Sequence, residues 1–224
     1  MNKISKKTSH TAWFNFLLTA AIATPASWAS AKSPANPPPK IQVRVYEYAR
    51  VPSTVLVMAE GQATMIFRGA GLEVTWQNSI PPKDPSKGKP TSPPPPDAAV
   101  IDLRIVAQFD PIAGVLRYDS MGFAVPPDTA TISLAWVENL ASLEIADEYQ
   151  VLAAAMAHEI GHLFLGPNSH SLVGIMRARW NEGDLKRASQ ADFTFTAAQA
   201  KHIRTEVRRR QEQQGTVSAF TLVK

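Results

Sequence analysis

The chain has 224 residues, 45% of them hydrophobic, with 23 Lys and Arg against 19 Asp and Glu and no cysteine. That composition supports one globular domain with its own core and excludes a fold held by disulfides. Lys3, Lys6 and Lys7 lie at the extreme N-terminus, and beyond them 20 basic residues face 19 acidic ones, which points away from a nucleic-acid partner.

The N-terminal segment has the pattern of a secretory signal peptide. A basic start is followed by an apolar run, Ala12 to Ala23, too short to span a bilayer comfortably, and then by the small-residue site Ala29-Ser30-Ala31. Cleavage is expected after Ala31, which implies a secreted or periplasmic protein with no membrane span once residues 1–31 are removed. Residues 32–40 (KSPANPPPK) form a Pro-rich spacer, and a single domain is expected over 41–224.

Ile41 to Tyr48 alternates apolar and polar residues as a half-buried strand does. Pro52 to Arg68 reads as a helix with Ser53 as its cap, weakened by Gly61 and ended by Gly69 and Gly71. Leu72 to Gln77 is a second strand, so the unit predicts a parallel pair with a crossover helix. Residues 78–97 are dense in proline and form a loop insert in which no regular element survives. Ala98 to Val106 is a third strand. Met121 to Val125 and Thr129 to Val137 read as an antiparallel pair joined by a Pro126-Pro127-Asp128 turn. Glu148 to Ala157 is rich in helix formers and starts a helix expected to run to Leu165, and Thr196 with Gln199 opens a final helix with a capping-box pattern. Ala200, Ile203 and Val207 give that helix a core-facing stripe, and Arg208 to Arg210 read as its charged end. The fold class is α/β (α+β), a mixed twisted sheet with a crossover helix, an active-site helix and a C-terminal helix.

Three of the five histidines fall within residues 158–170, which read HEIGHLFLGPNSH. His158 and His162, four apart on a helix, present their imidazoles on one face one turn apart. Glu159 can reach a water held by a metal without binding the metal itself. Gly166 can end the helix and turn the chain back, bringing His170 into range. Two imidazoles and a carboxylate on an otherwise apolar helix end are costly without partners, which weighs against a plain buried helix. Three protein ligands leave zinc a fourth position for water, which is what separates a catalytic from a structural site.

This segment resembles the metzincin zinc proteases, whose pattern is HExxHxxGxxH followed by a Met-containing turn. The strict pattern places Gly at position 165 and the third His at position 168, where this chain has Leu165 and Asn168. Gly166 and His170 follow instead, as if the helix ran one residue further and the loop were one residue longer. The resemblance implies Zn2+ held by His158, His162 and His170, Glu159 as general base, and Met176 in the turn as an apolar floor under the metal. It also implies that Met121 to Val125 serves as the edge strand to which a peptide substrate pairs. Ser169, Ser171 and Asn168 are candidates to orient the ligands. Without cysteine, no thiolate can hold the zinc latent as in matrixin zymogens, and the domain pattern starting at Ile41 leaves no room for a folded propeptide.

A rival third ligand is Glu182. Asn181-Glu182-Gly183-Asp184 resembles the segment that supplies a glutamate in thermolysin-like gluzincins, although Gly166, Pro167 and Gly174 make the intervening chain irregular and favour His170. Otherwise Glu182 and Asp184 belong to a solvated loop that caps a short helix. The motif implies a secreted zinc metalloendopeptidase with a protein or peptide substrate. A zinc-binding envelope or interaction protein without hydrolysis, and a zinc hydrolase acting on cell-wall peptides, are the other readings of the same residues.

Overall fold

The computed structural model describes residues 37–81, 97–109 and 120–221, with side chains as far as residue 214. The signal segment, its cleavage site and most of the loop insert lie outside the described residues. So does the first part of the spacer. The elements run β1 (Lys40–Glu47), α1 (Ser53–Gly69), β2 (Glu73–Ser79), β3 (Ala99–Val106), β4 (Gly122–Val125), β5 (Thr129–Ser133), α2 (Leu134–Ala141), α3 (Glu148–Leu165), α4 (Glu182–Ser189) and α5 (Ala197–Thr221). The strands form one sheet in the order β2-β1-β3-β5-β4.

β1 and β2 are parallel, with α1 crossing over between them as the strand–helix–strand spacing predicts. β1, β3 and β5 continue the parallel set, and β4 turns back antiparallel on β5 to make one edge of the sheet. One sheet face is apolar and buried: Ile41, Val43 and Val45 from β1, and Ile101, Leu103 and Ile105 from β3. The alternate positions are half-buried and include polar residues that pair across strands. Arg44 and Asp102, opposite each other in register, are joined at 2.7 Å, and Gln42 donates to Gln77 at 2.8 Å. This period-2 pattern is why the strands were readable in the sequence.

The core continues into α3, which is buried from Gln150 to Gly161. A helix apolar all round must sit inside the molecule rather than on it. The small side chains of Ala153, Ala154, Ala155 and Ala157 let its neighbours approach closely. α5 packs Ala200, Ile203 and Val207 into the same core, and Thr196 and Gln199 make the reciprocal capping bonds at 2.9 and 3.3 Å. No described helix is long and apolar enough to cross a membrane.

Five sequence expectations need correction. The second strand of the hairpin stops at Ser133 rather than Val137, because the Ser133 hydroxyl caps α2 by accepting from Trp136 N at 3.4 Å. Ser53 is not the cap of α1; it is the first helical residue after Pro52, which makes no side-chain cap bond. Two ends of the loop insert are ordered, with Asn78 and Ser79 in β2 and Asp97 paired to Lys40 at 3.1 Å. Arg208 to Arg210 do not end a helix, since α5 runs on to Thr221. Arg210 instead reaches across the molecule. It donates to the carbonyls of Pro127 and Leu163, pairs with Glu206, and lies 4.6 Å over the Phe164 ring.

The fifth concerns Asp184, which is 1% exposed and not a solvated loop residue. Its carboxylate accepts from Asn181 N at 3.0 Å while Asn181 Oδ1 accepts from Asp184 N at 3.1 Å, closing a capping box on α4. The same carboxylate pairs with Arg177 at 3.3 Å and with Arg187. Losing it removes one of the two capping-box bonds and leaves two guanidinium groups without this acceptor. Asp184→Ala is expected to cost about 2 to 4 kcal/mol in urea unfolding; a change under half of that would mean the carboxylate contributes nothing beyond an ordinary surface group.

Candidate metal centre

α3 starts from a capping box, with Asp147 N donating to Gln150 Oε1 at 2.8 Å, and ends at Gly166, whose N–H donates to His162 O at 3.0 Å. Leu165 is its last residue, so the helix does run one residue past the strict metzincin pattern. Gly166 has φ +90° and Asn168 φ +57°, and this left-handed bend returns the chain toward the helix. His170 thereby meets His158 and His162. Their ring centroids lie 5.4 and 4.7 Å from that of His170. One ligand nitrogen from each of the three lies within 4.8 Å of the others, and among the described residues no other set of three His, Asp or Glu side chains does so. Glu182 is outside this group, exposed in the first turn of α4.

Hydrogen bonds fix which way the lone pairs point. His158 Nδ1 donates to the Ile175 carbonyl at 2.7 Å, which leaves Nε2 bare in the neutral ring. His162 Nδ1 meets Ser169 Oγ at 2.9 Å. The two Nε2 atoms then face each other at 3.0 Å. In the metal-free protein a neutral His162 fills that gap when Ser169 Oγ donates to its Nδ1 and its Nε2–H donates to His158 Nε2; a metal cation would take both lone pairs instead. Burial keeps the rings neutral: it lowers His158 to about 3 and His162 to about 4, and lowers His170 as well. Neutral, converging imidazoles with carbonyl or hydroxyl partners on their far nitrogens are the donor set a zinc-like cation takes. Of the three residues expected to orient the ligands, Ser169 touches one. Ser171 donates instead to Val173 O and accepts from Gln199. Asn168 lines the cleft.

Glu159 is 3% exposed, and burial alone pushes its carboxyl up to about 8. Beside it stands Gly122 of the edge strand. A methyl group there would lie 2.8 Å from Glu159 Cγ and Cδ and 2.4 Å from Thr131 O, so only glycine lets the carboxyl rest against β4. Met176 is fully buried below α3, where a Cβ on Gly161 would fall 2.7 Å from its Sδ. The turn that carries it is pinned by Ile175 N to Thr194 O at 3.0 Å and by Ser171 N to Met176 O at 2.8 Å. The cleft over these groups encloses about 1060 Å³. Trp136 and Trp180 line it edge-on to one another, 5.3 Å apart, and Trp180 lies 6.0 Å from His158.

Gly122, Gly161, Trp136, Trp180 and the Ile175 carbonyl escaped the sequence reading. Only Gly161 left a signal, a glycine inside an apolar helix, which costs about 1 kcal/mol against alanine unless something packs close.

No protein-family model matches the chain, and no curated protein matches it in sequence. Among solved structures, the crystal structure of archaemetzincin from Methanopyrus kandleri superposes with a TM-score of 0.51. The match covers 75% of this chain and 96% of that one, at 15% identity. The fold is that of archaemetzincin. At that identity the likeness to archaemetzincin speaks for the fold, and the three-histidine cluster carries the chemistry.

Zinc titrated into the metal-free protein is expected to bind at one per chain. His158→Ala and His162→Ala should abolish binding, His170→Ala should weaken it, and Glu182→Ala should leave it unchanged. Loss with Glu182→Ala and not with His170→Ala would reverse the ligand assignment. The titrating groups also set opposite pH limits on the metal-free protein. The histidines stay neutral when folded but take protons when unfolded below about 6.5, so stability falls as pH drops from there toward about 3. Glu159 holds its proton when folded and loses it when unfolded above its ordinary value of 4.5, so stability falls as pH rises from there through about 8. Metal-free Glu159→Gln should therefore exceed the unmodified protein at pH ~9 by a few kcal/mol and match it near pH ~5. Equal unfolding curves at both pH values would show that the carboxyl is not held in its neutral form.

Proposed function

We propose that the protein is an exported zinc-dependent metalloendopeptidase. The convergence of His158, His162 and His170 beside the buried Glu159 carries this reading, and the archaemetzincin fold and the HEIGH segment support it. The N-terminal signal pattern supports export. His158, His162 and His170 hold the metal as neutral imidazoles, with the Ile175 carbonyl and Ser169 keeping two of the rings in orientation. Zinc bound there supplies a Lewis acid that polarises the scissile carbonyl and brings the pKa of a water to about 7.

Glu159 takes a proton from the attacking water and returns it to the leaving amine. Its burial suits it to both steps, because a carboxyl held high accepts a proton readily, and a nearby cation draws its affinity down into the working range. Gly122 keeps the carboxyl against the edge strand. The outer edge of β4 has no partner strand among the described residues, so an extended peptide can add to it by main-chain hydrogen bonds. Met176 closes the apolar floor beneath α3 and blocks water from that side.

Glu159→Gln should retain zinc and lose peptide hydrolysis by at least ~100-fold. Gly122→Ala should also retain zinc and lose at least ~10-fold, because the added methyl displaces the carboxyl. Undiminished turnover in the Glu159 variant would eliminate the proposed base. Stoichiometric zinc with no turnover by the unmodified protein on varied peptides would favour a binding module instead.

A further inference from the structure

The cleft has one charged side chain that the proposed chemistry does not use. Among its described lining residues Glu159 is the one carboxyl and Arg179 the one guanidinium, and the rest are apolar, neutral polar or the three histidines. Arg179 is exposed and makes no hydrogen bond or ion pair among the described residues. Its neighbours are treated differently. Arg177, two residues earlier, is committed to the buried Asp184, and Trp180, next in sequence, is wedged between His158, Trp136 and Phe193. The backbone bearing Arg179 is therefore held on both sides while its guanidinium stays free. An uncompensated cation at the rim of a largely uncharged cleft draws in anions, and the guanidinium fork matches a carboxylate bidentately.

We infer that Arg179 is a specificity-determining residue that binds a carboxylate of the substrate, so that the cleft selects acidic peptides. The inference rests on the peptidase reading of the same site and names its substrate class. The carboxylate has two possible sources, an Asp or Glu side chain near the scissile bond or the free C-terminus of a short peptide. Both give the same bond to Arg179. Binding precedes the chemical step and leaves the proton path through Glu159 untouched, so the preference belongs in KM rather than kcat.

The zinc-loaded protein is assayed on a set of peptides that carry Glu or Gln at each position around the cleavage site, each with a free or amidated C-terminus. The expected result is a preference of at least ~10-fold in kcat/KM for one carboxylate-bearing member, expressed mainly in KM. Preference for internal Glu identifies the side chain as the source, and preference for the free acid identifies the C-terminus. Arg179→Gln should erase the preference while zinc content, Tm and turnover of the Gln peptides with amidated ends stay as before. Arg179→Glu should shift the preference to Lys-bearing peptides. Hydrolysis that ignores the carboxylate, or a preference that survives in Arg179→Gln, overturns the inference and leaves the peptidase reading intact. No hydrolysis of any peptide overturns the peptidase reading, and the inference with it.

Discussion

Two imidazole nitrogens, His158 Nε2 and His162 Nε2, face one another across 3.0 Å in a site that keeps both rings neutral. Much of the surrounding structure holds that arrangement in place. α3 is buried on every side, so the two rings cannot swing out to solvent without unpacking the core. The Ile175 carbonyl commits the proton of His158 to the far side of its ring. The Gly166 and Asn168 bend brings the third ring in. A cation bound among these preset nitrogens needs little rearrangement, and the energy of binding it would become part of the energy of folding.

Glu159 adds a local conflict, a carboxyl with no hydrogen-bond partner among the described residues in a site that favours its protonated form. Histidine burial penalises acid and carboxyl burial penalises alkali, so the metal-free site is destabilised from both directions. A divalent cation relieves both at once, by drawing the nitrogen lone pairs and by favouring the ionised carboxylate. Local rules are broken here in a group of adjacent residues, which is the pattern expected of a functional site rather than of a poorly packed helix.

Elements governed by local periodicity were legible in the sequence. β1 alternates, α3 is rich in helix formers, α5 opens on a capping pair and carries an apolar stripe, and the βαβ spacing implies the parallel pair. α2 was hidden because Leu134-Ala135-Trp136-Val137 continues the apolar run of β5, and only the capping serine marks the change of period. Asp184 looked solvated because its two arginine partners are side chains whose positions depend on the Met176 turn and on α4. The histidine trio was legible because all three residues lie within 13 positions, 158 to 170. Gly122 and Trp136 were not, since they reach the site through the sheet edge and α2, and nothing in their own neighbourhoods marks a distant partner.

Arg210 has a consequence for how the cleft opens. One guanidinium joins the Pro127 carbonyl, at the end of the β4–β5 hairpin, to the Leu163 carbonyl, one residue beyond His162, while stacking on Phe164. It therefore braces the edge strand against the helix that carries His158 and His162. Widening the aperture between strand and helix would break these bonds, so the width seen here is the one a guest meets on entry.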